Sequence, residues 1–308
     1  MTLLYKSDPY RGRVWQALFE RHAPDIDFRI WPAMGSLRAV RYLAAWTPPT
    51  DLIASLPNLE VLFSIGAGVD QFDLGALPDH VQVVRMIEPG IADGMVEYCT
   101  LATLALHRDL SAYRIAQQER RWAPIDLVQA ADRRVGVLGL GNLGQAVLDR
   151  LKTFGFALRG WSRSAHAIDD VTCFSGSAEL PDFLGGCDIL ICLLPLTADT
   201  SGILCRETFD LLPHGASIIN VGRGGHLVEQ DLLDALDSGR LSGAVLDVMD
   251  PEPVAPDHPF WTDCRILMTP HIASMTQADG AVKALIANIR RHRAGESMHG
   301  LIRRDLGY

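Results

Sequence analysis

The stretch that decides the fold is Arg133–Leu151, RRVGVLGLGNLGQAVLDRL. Its first part is a short apolar run that predicts a buried β-strand, and its last part has the apolar spacing of a helix. Between them, residues 139–144 carry the pattern Gly-x-Gly-x-x-Gly. The three glycines suit a tight turn, a close approach of the backbone to a pyrophosphate and close helix packing, in that order. We therefore predict a dinucleotide site whose phosphates face the first amides of the helix. The predicted contacts here are Gly139, Gly141, Asn142, Leu143 and Gly144.

On both sides of this stretch, short apolar runs alternate with helical patterns, which is typical of parallel sheets with crossover helices. The runs DILICLL and SIINVG are apolar on both faces, as strands inside a parallel sheet are. We predict an α/β protein with two open parallel-sheet domains. A Rossmann domain covers residues 99–275, and a smaller flavodoxin-like substrate domain covers residues 1–98 and is completed by residues 276–308. A single long helix over Met95–Gln118 is predicted to connect the two.

Composition limits the classes of partner. The chain has 308 residues and a formal net charge of −9, which gives no support to nucleic-acid binding. We expect no membrane partner, because no apolar run reaches the ~20 residues of a membrane span, and no signal peptide. The six cysteines form no C-x-x-C pair and are not interleaved with histidines at zinc spacing, so no metal site is predicted. Reduced thiols and a cytoplasmic location are the simplest interpretation.

The stretch Gly160–Ser164, GWSRS, distinguishes between two cofactors. An NAD site carries an acid at the end of its second strand, which accepts hydrogen bonds from the ribose hydroxyls. Here Arg163 stands between Ser162 and Ser164. A guanidinium and two hydroxyls suit a 2′-phosphate, so NADP(H) is the preferred cofactor. An exposed Arg163 in a site that tolerates NAD(H) as well remains the alternative.

Three further side chains each follow an apolar strand: Arg223 in NVGRGG, Glu252 in DVMDPEP and His271 in TPHIAS. Ligands of open α/β sheets collect at the carboxyl ends of strands, so the three are expected to converge. Together they suit hydride transfer to a 2-oxo acid. His271 would donate a proton to the carbonyl oxygen, Glu252 would orient its ring and favour the imidazolium, and Arg223 would bind the carboxylate and polarise the ketone.

The motifs GLGNLG, NVGRGG, DVMDPEP, TPHIAS and SIGAGVDQFD resemble those of the D-isomer-specific 2-hydroxyacid dehydrogenases, over nearly the whole chain. The signatures AWTPP, GAGVD, EYCTLATL, WSRS and a C-terminal GY are similar to the glyoxylate/hydroxypyruvate reductase A branch. The resemblance implies a catalytic triad of arginine, glutamate and histidine, which corresponds to Arg223, Glu252 and His271. It also implies NADPH-dependent reduction of a small 2-oxo acid and a homodimer with a long helix in its interface.

The resemblance further implies individual contacts. The backbone amides of Gly66, Ala67 and Gly68 would bind the substrate carboxylate, and Asp247 would contact the nicotinamide carboxamide. Trp46 would face the cleft between the domains, where it either limits the size of the substrate or only packs in the cleft wall. Two alternatives to the function stay open: the same chemistry on another 2-hydroxy acid, such as a phosphorylated one, and a non-enzymatic NAD(P)-binding sensor.

Overall fold

A computed structural model describes residues 1–304, so the GY signature at Gly307 and Tyr308 lies outside the described residues. The chain forms two compact units. The first comprises residues 1–91 together with the segment that begins at residue 275, and the second comprises residues 92–274. The predicted α/β class with two parallel sheets is confirmed.

The first unit contains a five-stranded parallel sheet in the order β2-β1-β3-β4-β5, which is the flavodoxin-like order. Its central strands have buried residues on both faces, as a sheet covered by helices on both sides requires. The strands are β1 (Thr2–Lys6), β2 (Asp27–Ile30), β3 (Val40–Ala45), β4 (Val61–Ser64) and β5 (Gln82–Val84).

Two chain segments distant in sequence build the first unit together. Helix α1 (Pro9–His22) is capped at its N-terminus by Asp8, whose carboxylate accepts a hydrogen bond from the Arg11 amide at 2.7 Å. The C-terminal helix, α9 (Ala278–Arg293), packs against α1. Beyond α9, the Ile302 amide donates to the Val83 carbonyl at 3.0 Å. The unit also contains the short helix α2 (Thr50–Ala54).

The second unit is a seven-stranded parallel sheet in the order β12-β11-β10-β9-β6-β7-β8. The crossover from β8 to β9 reverses the direction in which strands are added, as in a Rossmann fold. Its strands are β6 (Arg134–Leu138), β7 (Ala157–Ser162), β8 (Val171–Ser175), β9 (Ile189–Cys192), β10 (Ala216–Asn220), β11 (Leu241–Leu246) and β12 (Ile266–Met268).

Helices cover both faces of this sheet, with one apolar cluster on each face. All residues of β9 and β10 are buried, which explains why the sequence shows no alternation there. The helices that follow β6 in this unit are α5 (Asn142–Lys152), α6 (Gly176–Leu184), α7 (Arg206–Leu211) and α8 (Glu229–Asp237).

The prediction of one helix over Met95–Gln118 is wrong. The structure has two helices, α3 (Pro89–His107) and α4 (Leu110–Gln118). The chain breaks at Asp109, which has a left-handed backbone with φ of 55°. Aspartate tolerates this conformation better than most residues, so a helix can end without a glycine or proline in the sequence.

Buried thiols account for part of the cysteine content. All six cysteines are free. Burial raises the pKa of the Cys192 thiol, and likewise that of Cys187, to about 12, so both remain protonated at neutral pH. Within residues 1–304, no helix combines the length and the hydropathy that crossing a membrane requires.

Candidate active site

The glycine loop joins β6 to α5 in the way that its sequence predicts. Gly139 has φ of +104°, and a Cβ there would lie 2.8 Å from the Leu193 carbonyl oxygen. A Cβ on Gly144 would lie 1.8 Å from the Gly139 carbonyl oxygen, so only glycine lets α5 begin this close to the strand. Gly141 differs, because its backbone is ordinary (φ −75°) and nothing lies within 4 Å of an added Cβ. The open space at the start of α5 fits a ligand phosphate that approaches the backbone.

The loop after β7 holds the three residues that distinguish the cofactors. Arg163 and Ser164 are exposed, whereas Ser162 is buried. The Ser162 hydroxyl donates to the Ser164 carbonyl at 2.7 Å, and His166 Nδ1 lies 2.9 Å from the same hydroxyl and 3.0 Å from the same carbonyl. Because a carbonyl only accepts, His166 carries a proton on Nδ1 in that contact. Ser162 and His166 therefore shape the loop, and the exposed Arg163 and Ser164 remain the groups that can reach a ligand.

Arg223, Glu252 and His271 follow three neighbouring strands, β10, β11 and β12. His271 Nδ1 lies 2.9 Å from Glu252 Oε2, and both side chains are about one-third exposed. The other carboxylate oxygen of Glu252 accepts from the Met249 amide at 3.0 Å, which fixes the carboxylate. Arg223 Nη1 donates to the Gly222 carbonyl at 2.6 Å. The structure thus brings Glu252 and His271 into direct contact and places Arg223 at the end of a strand of the same sheet.

Asp247 holds the turn that carries His271. His271 has φ of 54°, a left-handed conformation that costs about 1–3 kcal/mol in a residue other than glycine. The carboxylate of Asp247 accepts from the Thr269 hydroxyl at 2.6 Å and from the amides of Ile272 and Ala273, each at 2.8 Å. The carbonyl of Asp247 also accepts from the His271 amide at 2.8 Å. Asp247 is buried, so these bonds impose the turn, and a contact of this residue with the cofactor remains a prediction.

Tyr98 adds one hydroxyl group to the hydrogen-bond network of Asp247 and Thr269. Its hydroxyl lies 2.5 Å from Thr269 Oγ1. Because the Thr269 proton is directed to Asp247, Tyr98 is the donor in this contact. Burial raises the pKa of Tyr98 to about 12, so the donor proton is retained throughout the neutral range.

The loop after β4 in the first unit contains Gly66–Gly68. The Gly66 amide donates to the buried Ser64 hydroxyl at 3.2 Å, so it is already engaged. Among residues 1–304, the amides of Ala67 and Gly68 meet no protein acceptor. A Cβ on Gly66 would lie 2.6 Å from the ring of Trp46, which follows β3, so the indole packs directly on this loop. The predicted role of this set in substrate binding stays a prediction, and it now rests on Ala67 and Gly68.

Residues 100–273 match the family model described as "D-isomer specific 2-hydroxyacid dehydrogenase, NAD binding domain". The chain belongs to the D-isomer-specific 2-hydroxyacid dehydrogenases. It is 38% identical to the glyoxylate/hydroxypyruvate reductase A of Serratia proteamaculans, with all of both chains covered. Among solved structures it is similar to such a dehydrogenase from Xanthobacter autotrophicus Py2 in complex with NADPH and MES, at 38% identity and a TM-score of 0.95, over 100% of this chain and 99% of that one.

A second solved relative is the NADPH-dependent glyoxylate/hydroxypyruvate reductase from Sinorhizobium meliloti in complex with NADP and sulfate. It is 33% identical, with a TM-score of 0.92 over 100% of this chain and 99% of that one. The predicted family and branch are therefore confirmed.

Backbone contact between two of the site loops depends on one glycine of this dehydrogenase. A Cβ on Gly224 would lie 2.0 Å from the Met249 carbonyl carbon and 2.5 Å from the Asp250 nitrogen. The loop that carries Arg223 therefore packs backbone to backbone on the loop that carries Glu252. The neighbouring Gly225 is less restricted, because an added Cβ would first meet a Leu196 methyl group at 3.1 Å.

We expect Gly224→Ala to lower kcat/KM for a 2-oxo acid by about 10- to 100-fold, because separation of the two loops displaces groups whose placement within ~1 Å sets the rate. Gly225→Ala is the matched control and should have a much smaller effect, since a leucine side chain can move aside. Steady-state kinetics on both variants, with thermal unfolding to confirm that each is folded, make the comparison. Equal losses in the two variants would contradict the packing argument.

Two histidines near these sites give no signal in the sequence. His166 lies in the loop of Arg163, and His226 is fully buried beside Arg223. Neither belongs to a recognisable motif, and only the turns of the folded chain reveal their contacts.

Proposed function

We propose that this protein is an NADPH-dependent reductase of small 2-oxo acids, converting glyoxylate to glycolate and hydroxypyruvate to glycerate. The observation that carries the proposal is the His271–Glu252 contact of 2.9 Å at the end of a Rossmann sheet, with Arg223 at a neighbouring strand end. The names of the relatives from Serratia and Sinorhizobium support this substrate class and NADPH.

The chain has the features that an NADP(H) molecule requires. The open space at Gly141, the amides at the start of α5 and the exposed Arg163 fit the pyrophosphate and the 2′-phosphate, in chemistry and in charge. We assign the cofactor to the glycine loop, Arg163 and Ser164. When bound, NADPH supplies the hydride of the reaction, and that chemistry belongs to the cofactor.

His271 is the proton donor. Its Nδ1 faces the Glu252 carboxylate, which only accepts when ionised, so Nδ1 keeps a proton and Nε2 exchanges one with the substrate. In the reductive direction the imidazolium donates its Nε2 proton to the carbonyl oxygen as negative charge develops there. Glu252 carries the opposite charge to the imidazolium and fixes the plane of the ring. The hydrogen bonds of Asp247 keep the turn of His271 in its left-handed form.

Arg223 binds the substrate carboxylate and polarises the ketone. A planar guanidinium can donate two parallel hydrogen bonds to a carboxylate, and a further N–H can face the carbonyl oxygen. The charge that stabilises the carbonyl oxygen is then present before the reaction begins.

The proposal is tested with a panel of 2-oxo acids, each assayed with NADPH and NADH by absorbance at the nicotinamide band. Glyoxylate and hydroxypyruvate should have the highest kcat/KM. A higher kcat/KM for phenylpyruvate or for a phosphorylated 2-oxo acid would place the protein among reductases of another substrate. Binding of NADPH without turnover of any member would support the sensor instead.

Arg163 should set the preference for NADPH. Hydrogen bonds to charged groups are worth roughly 1.5–3 kcal/mol, and exposure places Arg163 near the low end, so Arg163→Ala should raise KM for NADPH about 10-fold and change NADH kinetics little. Arg163→Asp should go further and favour NADH, because an acid repels the phosphate and accepts from ribose hydroxyls. The ratio of kcat/KM for the two cofactors is measured at one ionic strength.

Arg150→Ala is the control for charge alone, since Arg150 is exposed near the other end of α5. A cofactor ratio that is the same in wild type, both Arg163 variants and Arg150→Ala would remove the assignment of Arg163 and with it the main support for NADPH preference.

We propose a homodimer in which a second copy covers the apolar segment around Trp122. The Trp122 side chain is 100% exposed, and Leu127 beyond it is 59% exposed, an unusual exposure for large apolar residues so close together. Sedimentation equilibrium of the wild type and of Trp122→Ser tests this.

The free thiols support a cytoplasmic location. We also propose the division into domains at residues 98/99 and 275/276, with residues 1–98 and 276–308 as the substrate domain.

A further inference from the structure

His226 lies directly behind the backbone of Arg223. It ends the short turn Gly224–His226 and its side chain is completely buried. A Cβ on Gly222 would lie 2.8 Å from Nδ1 and 2.9 Å from Cε1 of the ring. The imidazole therefore occupies the space that a side chain at residue 222 would need, and it packs against Gly222, the residue before Arg223.

Two hydrogen bonds join His226 to the backbone of Arg223, one through the ring and one through the His226 amide. The Arg223 amide donates to His226 Nδ1 at 3.0 Å, and the His226 amide donates to the Arg223 carbonyl at 3.2 Å. Since a backbone amide only donates, Nδ1 carries a lone pair and the proton of the neutral ring is on Nε2. A protonated Nδ1 would turn the acceptor into a second donor and break this bond.

A second buried side chain, Asn220, acts on the same segment. Its Nδ2 donates to the Arg223 carbonyl at 2.9 Å, and its Oδ1 accepts from the Gly222 amide at 3.2 Å. The amide and the carbonyl of Arg223 are both held by side chains, in a segment outside any helix or strand. The backbone of Arg223, and with it the direction of the Cα–Cβ bond from which the side chain extends, is thus fixed by His226 and Asn220 together.

We propose that His226 is a positioning residue for Arg223: the lone pair on its Nδ1 fixes the backbone from which the guanidinium reaches the substrate. The inference rests on the proposed function, because it takes Arg223 as the residue that binds the carboxylate. His226 is assigned no direct contact with substrate or cofactor, because its side chain is completely buried. Its loss is expected to affect the 2-oxo acid and to leave cofactor binding unchanged.

Three substitutions of His226 distinguish the effect of the Nδ1 lone pair from the effect of the volume of the ring. In His226→Asn, Oδ1 stands at the position of Nδ1 and can accept from the Arg223 amide. In His226→Gln, the amide lies one bond further out, at the position of Nε2, and His226→Leu fills space without an acceptor. His107→Leu is the matched control, because His107 is a second buried histidine of the same unit and packs edge-on against Phe156.

The experiment measures glyoxylate kinetics at saturating NADPH, the Kd of NADPH from its fluorescence, and Tm for each variant. His226→Leu and His226→Gln should raise KM for glyoxylate by about tenfold or more, because a displaced Arg223 guanidinium no longer aligns with the substrate carboxylate. His226→Asn should recover most of that loss, and the Kd of NADPH should stay at the wild-type value in all variants. His107→Leu should leave KM unchanged. A Leu variant that fails to fold leaves the Asn–Gln comparison to decide.

Equal KM values for the Asn and Gln variants, or a change in the Kd of NADPH as large as that in KM, would overturn the proposal. Failure of the underlying function is distinguishable: in that case Arg223→Ala itself would turn over glyoxylate normally. If Arg223→Ala is impaired and the Leu and Gln variants of His226 keep the wild-type KM, only the positioning role is wrong.

Discussion

His271→Ala is expected to lower kcat by about 10²–10⁴-fold, the range that removal of a general acid usually produces. The Kd of NADPH should stay near the wild-type value. The residues assigned to the cofactor phosphates follow β6 and β7, whereas His271 follows β12. Single-turnover reduction of glyoxylate, followed by NADPH absorbance, measures the chemical step directly.

The chain offers a matched control for this experiment. His258 Nε2 lies 3.0 Å from Glu229 Oε2, a second histidine–glutamate contact in the same unit and outside the predicted site. His258→Ala removes the same kind of interaction and should keep most of the turnover. Should His271→Ala retain more than half of the wild-type kcat, the proton donor must be another group.

Arg223→Ala should have the second large effect, because one side chain is assigned both to the carboxylate and to the carbonyl. Two charged hydrogen bonds, at roughly 1.5–3 kcal/mol each, correspond to a loss of about 10²–10⁴-fold in kcat/KM. The loss should divide between KM, which reports the carboxylate, and kcat, which reports the developing charge. Arg223→Lys should recover only part, since an ammonium lacks the planar pair of donors.

Arg206→Ala serves as the control for loss of an arginine. Arg206 is exposed and paired with Asp234 at 2.6 Å. Full activity of Arg223→Lys, with an unchanged KM for glyoxylate, would show that a point charge suffices and that the two-donor geometry is wrong.

The parts of the fold that follow from local pattern could be predicted from the sequence. β6, the glycine loop and α5 are adjacent in the chain, and Gly139 and Gly144 each meet a local steric demand, whereas Gly141 leaves open space. The strands β9 and β10 are buried on both faces and therefore read as unbroken apolar runs. The end of α3 had no such signal, because the left-handed Asp109 leaves the apolar spacing intact.

The site residues divide in the same way. Arg223, Glu252 and His271 could be found because each follows a strand and bears a group suited to the chemistry. The position of Asp247 under the His271 turn could not, since it depends on the pairing of β11 with β12 and joins residues more than twenty positions apart. The inward-facing ring of His226 also gives no sequence signal, because one histidine in a polar loop is compatible with exposure.

The discontinuous first unit has a consequence for synthesis of the chain. Residues 1–91 leave the ribosome before the second unit, whereas α9, which packs on α1, is translated after it. At ~5–20 residues per second, the roughly 180 intervening residues take about 10–40 s to make. The second unit, one uninterrupted stretch, can complete its sheet in that interval. We therefore expect the first unit to complete its packing after the second, so that its strands stay open to pairing with other chains for longer.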